Sequence, residues 1–144
     1  MDRKIIIING PNLNLTGSRE ENVYGNKSFE SFYNEELLIF AEKNDLNLEY
    51  FQSNHEGDII DRIHDCIGHK DFIIINPGAL THYSYAIHDA LAACRIPAIE
   101  VHISNIFSRE KWRKISVISP AVIGIIGGLG LKSYKLALQF ISES

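Results

Sequence analysis

Apolar and polar positions along the 144-residue chain alternate between two patterns. Short β-branched runs recur, and between them apolar residues return every three or four positions. The runs predict five strands, at residues 4–9, 46–52, 72–76, 97–102 and 122–127. In the first and third, Ile-Ile-Ile-Ile-Asn and Phe-Ile-Ile-Ile-Asn, apolar residues are consecutive, as in strands buried on both faces. Between the first two runs, Phe29, Tyr33, Leu37, Phe40 and Ala41 repeat at helical spacing behind Ser28, a favourable N-cap. A second helix is expected from about Asp58, burying Ile59, Ile60, Ile63 and Ile67 and exposing Asp61, Arg62 and Asp65. A third buries Ile87, Ala90, Leu91 and Cys94 and turns His88 and Asp89 outward. The last starts near Leu131 and carries Tyr134, Leu138 and Ile141.

This βαβαβαβαβ order predicts an α/β fold: a flavodoxin-like, doubly wound, parallel five-stranded sheet with helices on both faces. A chain of this length is expected to form one domain, spanning residues 1–144. Ligands of such sheets bind beyond the carboxyl ends of the strands. Those ends carry Asn9-Gly-Pro-Asn12, Gln52-Ser-Asn-His-Glu56, Asn76-Pro-Gly-Ala-Leu-Thr-His82 and His102-Ile-Ser-Asn105.

A net charge of -4 with no basic run argues against nucleic acid as a partner. Ile5 to Ile8 is too short an apolar stretch for a signal peptide or membrane span, so a cytoplasmic location away from membranes is expected. Cys66 and Cys94, both in helical patterns, are expected to be buried free thiols. A nucleotide fingerprint is missing after the first strand, and Gly127-Gly-Leu-Gly130 reads as a tight strand-to-helix turn. His64, Cys66 and His69 are spaced onto different faces of a helix, which does not suit a shared metal. For His55 and Glu56, on a strand-to-helix turn, helix-start hydrogen bonding is as good a reading as catalysis.

The polar rim suits acid–base chemistry on a small hydroxy acid. His102 ends a strand and is a candidate general acid; Glu100, two residues earlier on the same face, can orient it. The amides of Ile103, Ser104 and Asn105 can hold a carboxylate if a helix opens there. Arg109 and Arg113, four apart, would lie on one helical face and reach the same anion, or form a solvated basic face. The long connection 12–25, with Gly17 and Gly25, has the character of an active-site lid and holds Arg19 and Tyr24. A free tyrosine has a pKa of about 10, so only about one in a thousand is ionised at neutral pH, and a nearby arginine is needed to make it a base.

Four blocks carry a family resemblance: Gly10-Pro-Asn-Leu-Asn-Leu-Thr-Gly-Ser-Arg19 with Tyr24-Gly25; Gln52-Ser-Asn-His-Glu-Gly57; Asn76-Pro-Gly-Ala-Leu-Thr-His82; and Glu100-Val-His-Ile-Ser-Asn105 with Arg109 and Arg113. In order and spacing the chain resembles the type II 3-dehydroquinate dehydratases over essentially its full length. The resemblance implies anti elimination of water from 3-dehydroquinate through an enolate, giving 3-dehydroshikimate, without metal or organic cofactor. It implies Tyr24 as the phenolate base, Arg19 as the holder of its charge and His102 as the acid. Asn12 would hold a water against the enolate oxygen; Asn76, His82 and Arg113, with the amides of Ile103 and Ser104, would bind substrate. The family likeness also implies a homo-oligomer, a dodecamer built of trimers, in which Asp89 reaches a neighbouring subunit's site. Departures are local: between Arg19 and Tyr24, where the family often carries a proline, this chain reads Glu20-Glu-Asn-Val23, and Phe107 and His88 stand where histidine and arginine are common. Alternative readings are a binding module without turnover, another cofactor-free lyase or hydrolase, and the same reaction serving quinate breakdown.

Overall fold

The computed structural model of the chain describes residues 2–18 and 20–144, apart from the side chains of Glu21 and Tyr24. Five strands, β1 (Arg3–Asn9), β2 (Leu46–Gln52), β3 (Phe72–Asn76), β4 (Ala98–His102) and β5 (Gly124–Gly127), form one sheet in the order β2-β1-β3-β4-β5. All four neighbouring pairs are parallel. This is the doubly wound, flavodoxin-like order, whose switch point falls between β1 and β3. In the register, Asn9 pairs with both Gln52 and Asn76, so three polar residues end their strands side by side.

Alternate side chains of the central strands feed two cores. Ile5, Ile7, Ile74, Ile99 and Val101 pack under α2 (29–43) and α5 (Lys132–Ser142). Ile6, Ile8, Ile73, Ile75 and Ala98 pack under α3 (Glu56–Asp65) and α4 (Tyr85–Cys94). The four consecutive isoleucines of β1 are fully buried, each worth about 1.5–3 kcal/mol on removal from water. A one-residue slip would exchange isoleucine for isoleucine, so burial alone does not select the register. The polar ends do: the Lys4 amide donates to Asp71 Oδ2 at 2.7 Å, and Asn9 terminates the run.

Helix α2 begins where expected, with Ser28 Oγ accepting from the Ser31 amide, and contains a wider π segment at Tyr33–Leu37 that the periodicity did not foretell. That widening lets Phe29, Phe32, Leu37 and Ala41 all stay buried. Helix α3 starts at Glu56, earlier than expected, and ends at Asp65, so Ile67 falls beyond it in a turn and is 52% exposed rather than buried. His88 is not turned outward either: it is half-buried on α4, with Nδ1 bonded to the Val117 carbonyl at 2.8 Å. Strand β5 starts at Gly124, not residue 122, because a turn at Ser119–Ala121 occupies the approach. As an edge strand it leaves Ile125 half-exposed, beside exposed Ile123 and Phe140. Cys66 and Cys94 are buried free thiols, as expected. No described helix is long and apolar enough to cross a membrane.

The carboxyl ends of β1 and β3 are drawn together twice. A Cβ on Gly10 would stand 2.3 Å from the Pro77 carbonyl oxygen, so only glycine permits the contact, and one on Gly78, at φ +63°, would stand 3.0 Å from the Pro11 carbonyl oxygen. Below them, the Tyr134 hydroxyl donates to Asn9 Oδ1 at 2.8 Å and accepts from Asn76 Nδ2 at 2.9 Å. Tyr134 is fully buried, and burial pushes its phenol far above the ordinary tyrosine value. Tyr134→Phe is therefore expected to lower stability by about 1–3 kcal/mol, the cost of leaving buried partners unsatisfied, as read by urea unfolding. A phenol raised on folding contributes stability that is complete below its unfolded pKa and lost as pH climbs above it. The phenylalanine variant should accordingly lose less stability than the parent above pH of about 10. An equal alkaline loss in both proteins would refute the assignment.

Candidate active site

The strand ends meet at a cavity of about 100 Å³ whose lining includes Asn12, Asn76, His82 and His102, together with Ile103, Ser104 and Arg113. These residues come from four separated stretches of sequence, and the parallel register is what assembles them. Ile103 and Ser104 also border a wider cavity of about 720 Å³, whose lining includes Asn22, Val23, Gly25, Arg109, Gly128 and Leu129.

On β4 the two-residue spacing puts Glu100 and His102 on one face and in contact: His102 Nε2 lies 2.5 Å from Glu100 Oε2. Glu100 is fully buried and His102 nearly so. Two residues missed in the sequence complete the pair, since the hydroxyls of Ser116 and Ser119 each donate to Glu100 Oε1 at 3.0 Å. With hydroxyls on one carboxylate oxygen and the ring N–H on the other, Nε2 carries the proton and Nδ1 is left for the cavity.

His82 stands in the turn Gly78–His82. Its Nδ1–H donates to the Ile115 carbonyl at 2.7 Å, which leaves Nε2 as an acceptor. Burial holds the imidazole below its usual range; the carbonyl bond opposes this, and His102 and Arg113 reinforce it. The ring meets Trp112 edge-on at 5.3 Å, and the Arg113 guanidinium lies 4.0 Å over the Trp112 ring. Asn76 is committed to the fold through both ends of its amide, since Oδ1 also accepts from the Gly78 amide at 3.2 Å.

Asn12 adopts the left-handed region at φ 69°, which asparagine tolerates better than most residues, and its amide donates to Asn54 Oδ1 at 3.0 Å. Gln52 Nε2 reaches the same oxygen and the Gly10 carbonyl, so this block braces the turn carrying Asn12. Helix-start bonding here belongs to Ser53, which donates to Asp58 and accepts from the His55 amide; His55 makes no side-chain cap bond, and Glu56 instead accepts from Ser84 at 2.5 Å.

Other expectations are corrected. No full helix opens after His102: a short 3-10 turn at Ile106–Ser108 is capped by Asn105 Oδ1 accepting from the Phe107 amide. Arg109 is extended and Arg113 sits in a separate turn, Lys111–Lys114, so they do not share a helical face. Arg113 borders the smaller cavity and is held by Glu110 at 3.1 Å; Arg109 borders the wider one, donating to Ser104 Oγ at 3.2 Å and Glu20 at 3.3 Å.

Within the connection 12–25, Leu13 and Thr16 are buried, a turn forms at Leu13–Leu15, and a short helix, α1, runs Glu21–Tyr24. Arg19 and the side chain of Tyr24 lie outside the described residues. Asp89 is exposed on α4. Among the described residues no group of three His, Cys, Asp or Glu side chains is placed to hold a metal, and Cys66 points into the core between exposed His64 and His69.

Residues 3–142 match the family model described as dehydroquinase class II. A 3-dehydroquinate dehydratase of Caldicellulosiruptor saccharolyticus is 59% identical, over 98% of this chain and 97% of that protein. The crystal structure of a type II dehydroquinase from Butyrivibrio crossotus superposes with a TM-score of 0.94 at 49% identity, covering 99% of this chain and 98% of that one. That of Propionibacterium acnes gives 0.95 at 40% identity, covering 100% and 99%. The chain belongs to the class II dehydroquinase family.

Proposed function

We propose that this chain is a lyase that removes water from 3-dehydroquinate by anti elimination, giving 3-dehydroshikimate for aromatic amino acid biosynthesis. The observation that carries the reading is the Glu100–His102 pair opening onto a cavity that also gathers Asn12, Asn76, His82 and Arg113. The proton α to the substrate ketone is acidic because its loss gives an enolate, whereas the β-hydroxyl leaves poorly unless protonated. A base for the carbon acid and an acid for the hydroxyl are therefore both required.

Tyr24, ionised beside Arg19, takes the α proton as the C–H pair becomes the enolate π bond. His102 acts as the imidazolium, with Nε2–H held by the Glu100 carboxylate and a second proton on Nδ1; Nδ1 gives up that proton as the C–O bond breaks, releasing water and the conjugated enone and leaving the neutral Nε2–H ring. Solvent then takes the proton from Tyr24 and supplies one to Nδ1 of His102. Asn12 holds a water against the enolate oxygen, where an aimed dipole in a closed site is most effective. The carboxylate lies against the amides of Ile103 and Ser104, with Arg113 adding charge, while Asn76 and His82 receive hydroxyls. The Glu20 carboxylate meets Arg109 at 3.3 Å.

In purified protein treated with a chelator, 3-dehydroquinate should raise the ultraviolet absorbance of a conjugated enone. Tyr24→Phe and His102→Ala should each cut kcat about a hundredfold or more, the usual worth of a placed acid or base. Near-parental rates in either variant would reassign the roles, and no absorbance rise in assembled parent protein would leave a binding module.

His82 supplies a pH test. It accepts through Nε2 only while neutral, and burial lowers its pKa from 6.5, so KM should stay flat as pH falls through that value and rise in more acid solution. A KM that climbs between pH of about 7 and 6 would show His82 titrating as a free imidazole.

The enzyme works as a homo-oligomer, a dodecamer of trimers with Asp89 reaching a neighbouring site, in the cytoplasm, where unpaired thiols such as Cys66 and Cys94 persist. Exposed Ile123, Ile125 and Phe140 are the kind of apolar surface that a second subunit covers. Light scattering of the pure protein should give about twelve times the 16.3 kDa chain mass, and a monomeric active enzyme would reject this assembly.

A further inference from the structure

The ring of His102 is held in place by a segment distant in sequence. Residues 115–119 cross behind β4 and bond to both imidazoles of the site or to their supports. The Ile115 carbonyl takes the Nδ1–H of His82 at 2.7 Å, and the Val117 amide donates to the Thr81 carbonyl at 2.9 Å. Ser116 and Ser119 take Glu100 Oε1. The Ser116 hydroxyl also accepts from the amides of Ile118 at 3.2 Å and Ser119 at 3.0 Å. With both acceptor positions filled, its single proton is left for Glu100.

Glu100 is wholly buried, so its two oxygens must find donors in the protein. Oε2 has the His102 ring. Were Oε1 left unpartnered, the carboxyl would turn or take up a proton. A protonated carboxyl donates where it had accepted, which would shift the imidazole proton from Nε2 to Nδ1. The state of the atom facing the cavity thus depends on two hydroxyls that do not touch it.

We propose that Ser116 and Ser119 are positioning residues: by occupying Oε1 of Glu100 they keep Oε2 a charged acceptor for Nε2–H, and so let Nδ1 of His102 take up, as imidazolium, the second proton that it gives to the leaving hydroxyl; an uncharged carboxyl would not hold that cation. The catalytic part rests on the reading of His102 as the acid. Other charged groups facing the pair are few. The flanking strands β3 and β5 carry no titratable side chain. His82 and Arg113 face it from the turns Gly78–His82 and Lys111–Lys114, and His88 reaches the same segment from α4.

Ser119→Ala is the mild probe, because Ser116 Oγ also holds two amides and its loss threatens the turn. Ser119→Ala should lower kcat about tenfold, part of the worth of a placed general acid, and leave KM within about twofold. Ser119→Thr, which restores the hydroxyl, should recover most of the rate. With nitrogen-15 in the histidine rings, nuclear magnetic resonance of the substrate-free enzyme should show His102, assigned by its loss in His102→Ala, protonated on Nε2 in the parent. Ser119→Ala should show a population protonated on Nδ1, and Ser116→Ala/Ser119→Ala a larger one. A changed ring pattern with an unchanged rate keeps the positioning and rejects His102 as the acid. A ring pattern unchanged in both variants overturns the proposal, whatever the rate.

Discussion

The site depends on how closely two backbones approach at the sheet's switch point. After β1 and β3 the chain turns away in opposite directions, and between those turns Gly10 lies against Pro77 with no room for a Cβ. That contact brings Asn12 and Asn76 to one cavity. Tyr134 ties the same strand ends from beneath, through a hydroxyl shared between Asn9 and Asn76. Asn76 therefore has a structural task as well as a proposed one, and its amide is held rigidly for the second by performing the first. Preorganisation of this kind is what makes a polar group effective toward developing charge.

The apolar cores make this polar arrangement affordable. Fully buried isoleucines on β1 and β3 supply the stabilisation, while Glu100 occupies a wholly buried place on the adjacent strand. A buried carboxylate is tolerated when its oxygens are filled, and here three donors fill them. An acidic chain also gathers two imidazoles and a guanidinium at this one cavity although the net charge is -4. Its edge contrasts with its centre: β5 is covered on one side by α5, and Ile125 and Phe140 remain open.

Much of this was legible along the chain. Strand runs, helix periods, the Ser28 cap and the glycine turn at 127–130 are local properties, governed by side-chain spacing and backbone conformation. The Glu100–His102 contact was legible for the same reason, because alternate residues of a strand share a face. The four motif blocks also held Asn12, Asn76, His82, His102 and Arg113, which line the cavity. Errors arose where a local pattern continued past the point at which the backbone changed course. Ile67 keeps the helical period but follows the end of α3, and Arg109 and Arg113 keep a helical spacing across two separate turns.

Tertiary structure alone decided which distant groups support the site. Ser116 and Ser119 lie 16 and 19 positions from Glu100, in a stretch with no chemical signature, and meet it only because residues 115–119 fold back behind β4. His88 bonding to Val117, Ile115 setting the His82 tautomer, and the division of Arg109 and Arg113 between two cavities have the same origin. The sequence by itself determined the elements, their order and the residue types at the strand ends, because those follow from interactions a few positions apart. Which nitrogen of His102 faces the cavity was settled by hydrogen bonds between segments that approach one another only when the chain is folded.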